Sequence, residues 1–157
     1  ERDDFRVVHY SLQTNHLHMI VEASEKDALG CGMKAVASRL AHAVNRVFER
    51  SGPVLAGRYH LRVLGSPREV RNAIAYVLLN ARKHWRERWG QAPPVEIDAA
   101  SSGRWFGGWL REAPRSDESP GLREVSPARS WLLRTGWKMC GLIDSAEVPG
   151  TRRRCLG

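Results

Sequence analysis

Asn15-His16-Leu17-His18-Met19-Ile20-Val21 sets the fold class, because it is an extended, half-apolar run with a second such run just upstream. A strand alternates its side chains. His16 and His18 therefore share one face, with α-carbons about 6–7 Å apart, close enough for both imidazoles to reach one cation. Leu17 and Met19 then point the other way, into a core. Two strand histidines without a ligand are the plainer reading of this stretch taken alone. Phe5 to Leu12, rich in β-branched and aromatic residues, reads as the preceding strand. Gln13-Thr14 is a short polar break, so the two runs form a β-hairpin, although the turn lacks an Asn-Gly signal.

Downstream, Glu22 to Gly32 reads as a polar loop. Met33, Val36, Ala37, Leu40, Val44, Val47 and Phe48 then recur at helical spacing, with Lys34, Arg39, His42, Arg46 and Arg50 between them. This predicts an amphipathic helix with a basic outer face, ended by Gly52-Pro53. Arg58-Tyr59-His60-Leu61-Arg62-Val63-Leu64 reads as a further strand. Ser66-Pro67-Arg68-Glu69 is a strong helix start: Ser66 caps, Pro67 suits the first helical position and Glu69 completes a capping box. That helix is expected to run to about Trp85, burying Val70, Ala73, Ile74, Val77 and Ala81.

After Gly90 the composition changes. Gln91 to Pro94 reads as a linker and residues 113–127, with three prolines and three serines, as loop. Ser126-Pro127 is expected to start a last short helix through Trp131, Leu132 and Leu133. Trp131 and Trp137 would anchor this segment, and Arg152-Arg153-Arg154 would form a disordered basic tail. The expected organisation is a core over residues 1–90 and a mostly irregular extension over 91–157.

The 157 residues, 42% of them apolar, suffice for a real core. No apolar run approaches the roughly 18 residues a membrane span needs. Three cysteines without CxxC spacing argue against a disulfide framework or structural zinc and fit a reducing cytoplasm. The net charge of +8 is uneven: residues 31–90 carry twelve basic and three acidic side chains, a net +9. Arginine dominates that block, and its planar fork suits phosphate, so nucleic acid is the expected partner ahead of a merely soluble basic surface.

On the helix after Ser66, Tyr76 and Asn80 are four residues apart and stack on one face. A phenol with an ordinary pKa of about 10 is a poor nucleophile near neutral pH. A divalent cation beside it makes both phenolate and phosphate more reactive. Asn80 offers a neutral oxygen as a third ligand beside His16 and His18, a set that suits Mg²⁺ or Mn²⁺. Tyr10 and Tyr59, on predicted strands, read as packing residues. His9, His42 and His84 read as structural or surface residues, whereas His60, beside Arg58 and Tyr59, is an auxiliary candidate. Arg39, Arg46, Arg58 and Arg62 are candidates for phosphate contact. A histidine-triad hydrolase would want a histidine where Ile20 stands, which sets that class aside.

Asn15-His16-Leu17-His18 on a strand, Gly57-Arg58-Tyr59-His60 after the next helix and Tyr76-Val77-Leu78-Leu79-Asn80 on the following helix come in the order of the HUH single-tyrosine transposases. Over about residues 5–85 the chain resembles the branch called REP-associated tyrosine transposases. The resemblance implies a ferredoxin-like α+β fold, an antiparallel sheet with helices on one face, here without the strand and helix that usually precede the hairpin. It implies metal-dependent cleavage and rejoining of single-stranded DNA near hairpins. In that scheme His16, His18 and Asn80 hold the metal and Tyr76 attacks the phosphate, leaving a 5′-phosphotyrosine and a 3′-hydroxyl. It also allows a homodimer, because the tyrosine helix completes its own site or a neighbour's. Ala81 stands where related proteins often have proline. The competing readings are a non-catalytic or domesticated relative that binds hairpins with strong salt dependence but never cleaves, and a plain structural protein.

Overall fold

The computed structural model describes residues 3–91, 93–111 and 122–150. The expected tail at Arg152-Arg153-Arg154, Cys155 and most of the proline- and serine-rich stretch lie outside them. The fold is α+β. β1 (Phe5–Leu12) and β2 (Leu17–Ala23) form a two-stranded antiparallel sheet. The Gln13 N–H donates to the His16 carbonyl at 2.8 Å and closes the hairpin. Among the described residues four helices follow: α1 (Lys26–Val47), α2 (Pro67–Leu78), α3 (Asn80–Trp89) and the short α4 (Trp131–Arg134), with 3₁₀ turns at Ser102–Trp105 and Gly136–Cys140. No helix among the described residues is long and apolar enough to cross a membrane.

The chain divides into two compact units. One comprises the described residues up to Arg6 with Glu22–Val63; the other comprises Val7–Val21 with the described residues from Leu64 onward. In the first unit the expected loop over Glu22 to Gly32 is instead the end of β2 at Glu22 and Ala23, a two-residue bend and about the first two turns of α1, with Gly30 and Gly32 inside the helix. Helical glycine costs about 1 kcal/mol. At Gly32 there is a reason for it: the Phe5 ring fills the space a Cβ would need. The strand expected at Arg58–Leu64 does not form. Residues 58–63 are all exposed, Val63 at 79%. The alternation of Tyr59, Leu61 and Val63 is strand-like, but a strand also needs an edge to bond, and among the described residues these make no strand pairing.

In the second unit Ser66 opens α2 as expected. The Glu69 N–H donates to Ser66 Oγ at 3.3 Å, while the Glu69 carboxylate accepts from the Gly65 N–H at 3.0 Å and the Ser66 hydroxyl at 3.2 Å. The predicted single helix is interrupted at Leu79 (φ −109°, ψ 18°), and α3 carries it on to Trp89. Gly90 ends it in the left-handed region at φ 68°, where glycine is at no disadvantage.

The core of this unit joins Ile20 of β2 and Val70, Ile74, Val77 and Leu78 of α2 to Phe106, Trp137 and Ile143. The segment beyond Gly90 therefore packs with α2 rather than apart from it. Two arginines tie it down. Arg71 donates to both oxygens of Glu147 at 2.8 and 2.9 Å and to the Leu142 carbonyl at 3.1 Å. Arg82 donates to the carbonyls of Pro94, Ala146 and Glu147. Trp137 is buried, its indole N–H donating to the Leu133 carbonyl at 3.1 Å, so it anchors the segment as expected. Trp131 is exposed, with its ring against Gly136. α4 is capped by Ser130 rather than begun at Ser126-Pro127; the Ser126 N–H donates to the Val7 carbonyl at 2.9 Å instead. Together with the Leu12 N–H bond to the Ala100 carbonyl at 2.8 Å, this covers part of the outer edge of β1 with irregular chain.

Candidate functional site

His16 immediately precedes β2 and His18 is its second residue, and their rings meet edge to face with centroids 4.7 Å apart. They share a face as the alternation predicts. That face, however, is the one turned to the helices: Ile20, of the same parity, is in the core, while Leu17 and Met19 are only half-buried. The His18 ring packs on Tyr76 at 5.1 Å and the His16 ring on His84 at 5.5 Å. Tyr76, near the end of α2, therefore faces His18, and His84, on α3 beyond the break at Leu79, faces His16.

Three side chains here carry buried polar atoms with no hydrogen-bond partner: His18 at Nε2, Asn80 at both amide atoms and His84 at Nε2. Asn80 is wholly enclosed. Each such atom costs about 1–3 kcal/mol if nothing satisfies it. Burial, and then the neighbouring His16, His84 and Lys83, hold the His18 imidazole below its ordinary pKa and keep it in the neutral, ligating form. His16 Nδ1 lies 2.7 Å from Asn15 Oδ1, and His84 Nδ1 lies 3.3 Å from Glu87 Oε2, so each ring has its other nitrogen engaged. The Lys83 ammonium sits 5.2 Å from the Tyr76 ring centroid and 3.4 Å from Glu87.

Comparison with protein-family models, curated proteins and solved structures finds no match. Function therefore has to be argued from the site itself. Among the described residues no group of three or more His, Cys, Asp or Glu side chains is placed to hold an ion. Imidazoles alone do not make a centre here. Asn80 keeps an unsatisfied amide oxygen, and two imidazole nitrogens with one neutral oxygen are a donor type that suits a divalent cation with positions left for water or phosphate.

Arg39 and Arg46, with His42 and Ala43, line an open depression on α1. Arg58, His60 and Arg62 lie on the exposed stretch before α2. These five candidates belong to the first compact unit, whereas the histidine pair, Tyr76 and Asn80 belong to the second. Tyr10 is a packing residue in the second unit. Its hydroxyl donates to Glu124, and burial, then Glu124, pushes its pKa up. The residue that sequence reasoning passed over is His84, classed as structural or surface. Its signal was present in the four-residue step from Tyr76 through Asn80.

Proposed function

We propose that this chain cleaves and rejoins single-stranded DNA through a tyrosine nucleophile, as the HUH single-tyrosine transposases do, with Mg²⁺ or Mn²⁺ as cofactor. One observation carries this reading: the His18 ring packs on Tyr76 and the His16 ring on His84, while His18, Asn80 and His84 keep buried polar atoms without a hydrogen-bond partner. Buried polar atoms are almost always paired, so the unsatisfied nitrogens of His18 and His84, whose rings pack on Tyr76 and His16, support a place for a ligand. His16, His18 and Asn80 are the residues that would hold the cation. When bound, it polarises the scissile phosphate and offsets charge on the reacting oxygens.

The chain's own residues do the rest. Tyr76 presents its phenol oxygen to the phosphorus; the O–P bond forms as the bond to the 3′ oxygen breaks, and the phenol proton is lost while the 3′ oxygen gains one. The products are a 5′-phosphotyrosine and a free 3′-hydroxyl, and reversal on a new 3′ end rejoins the strand. Lys83, beside the Tyr76 ring, places a positive charge where it would attract the phosphate. The +9 charge over residues 31–90 supports a polyanionic substrate. In this reading the sheet and helices belong to a ferredoxin-like core, the substrate is a hairpin-forming strand in the cytoplasm, and a second copy of the chain is the expected partner.

The test is a hairpin oligonucleotide with an unpaired flank, incubated with protein and Mg²⁺ or Mn²⁺ and resolved under denaturing conditions. A covalent adduct on the 5′ side of the nick is expected. Tyr76→Phe should abolish it while leaving binding nearly intact. An adduct that survives this substitution removes Tyr76 as nucleophile, and binding without any cleavage favours a non-catalytic relative.

A further inference from the structure

We propose that Trp85 and Trp89, with Arg88, form a stacking platform for the unpaired bases that flank the tyrosine centre. The inference rests on the nucleic-acid reading above but not on cleavage. Trp85 is 47% and Trp89 58% exposed, unusual for the largest apolar side chains. They stand one turn apart on α3, ring centroids 6.1 Å apart and inclined by 47°. The Arg88 guanidinium lies 5.2 Å from the Trp89 ring.

The other tryptophans differ. Trp137 is buried in the core, Trp109 donates to the Gly103 carbonyl and packs on Phe106, Trp105 lies under Arg104, and Trp131 covers Gly136. Only the α3 pair combines two exposed rings with a row of cations: Lys83, Arg86 and Arg88 on the same helix. Position adds a second argument. Trp85 directly follows His84. At about 100° per residue, Arg88 falls on the helix surface between the stripe of His84 and that of the two tryptophans. A strand leaving Tyr76 would pass His84 and Arg88 before it reached the rings.

The occupant follows from this chemistry. Aromatic faces with interleaved cations suit successive bases of a single strand, because every base has a π face and every linkage a phosphate. A duplex keeps its base faces stacked inside and offers none to the rings. The platform is therefore expected to select unpaired flanks with little preference for sequence.

The experiment uses the whole chain carrying Tyr76→Phe, so that binding stays non-covalent. Affinity is measured by fluorescence anisotropy for a hairpin with an unpaired tail and for the same hairpin with an abasic tail, which keeps the phosphates. The intact tail should bind about fivefold or more tighter. Trp85→Ala with Trp89→Ala should weaken the intact tail by a similar factor and abolish the difference between tails; Trp85→Phe with Trp89→Phe should retain it. Equal affinity for both tails in the parent chain, a comparison that needs no tryptophan variant, overturns the platform. So does discrimination that persists in a folded double-alanine variant. If tails are discriminated while the chain with Tyr76 intact forms no adduct, the platform stands and the endonuclease reading falls; an adduct without discrimination gives the reverse.

Discussion

Asn80 is wholly enclosed, yet neither of its amide atoms has a partner, a combination that stability alone would not retain. Leucine has nearly the same shape and nothing to satisfy. Asn80→Leu is therefore expected to raise the stability of the metal-free protein by about 1–2 kcal/mol and to abolish any stabilisation by Mn²⁺. Urea unfolding with and without Mn²⁺ measures both; a variant that is less stable and still responds to the ion would show that Asn80 is a packing residue. His16, His18, Tyr76 and Asn80 are candidates the sequence offers because strand alternation and the four-residue helical step are local rules, and of these the fold brings the rings of His16, His18 and Tyr76 together. His84 obeys the same step, but a histidine on a polar, arginine-rich helix end has no apolar pattern to mark it as inward-facing. Its partner across the gap, His16, is 68 positions away in the chain.

The helix that carries Tyr76 was legible because its start is written in side chains: serine, proline and glutamate at fixed positions. β1 was legible for the same reason, in its unbroken run of strand formers. Arg58–Leu64 was not, since a strand pattern says nothing about whether a neighbouring edge exists. α1 began earlier than its apolar pattern suggests, and Gly32 within it serves packing on Phe5 rather than a turn. Least visible were Arg71 and Arg82. They count toward the basic block in the sequence, whereas in the fold they bind Glu147 and backbone carbonyls. Arg71→Met leaves the mostly buried Glu147 carboxylate without its principal cation and should cost about 3 kcal/mol in urea unfolding. Adding Glu147→Leu should recover most of that loss; failure to recover it would mean that Arg71 acts mainly through the carbonyls of Gly141 and Leu142.

The acid response of the molecule should be governed in good part by His9. Burial, and then the charge of Arg123, hold its pKa at about 4, below the ordinary 6.5. Its ring packs edge-on against Phe106 and lies 3.4 Å from Ser102 Oγ. Because the folded state refuses a proton that the unfolded chain accepts, the contribution is complete above pH 6.5 and is lost as the pH falls toward 4. The loss should be on the order of 3 kcal/mol. His9→Gln should flatten this part of the stability profile, and an unchanged slope between those pH values would show that other groups set it.

The arginine ties from α2 and α3 to the last described segment decide how this chain can be divided. A cut after Gly90 would remove Phe106, Trp137 and Ile143 from the core and strip Arg71 and Arg82 of their acceptors, leaving two guanidinium groups facing an opened apolar surface. The tyrosine helix is thus not a cassette that recombination or protein engineering could transplant with the histidine hairpin alone. Whatever inherits the Tyr76 helix with its packing intact must also inherit the chain that follows it, at least as far as Glu147.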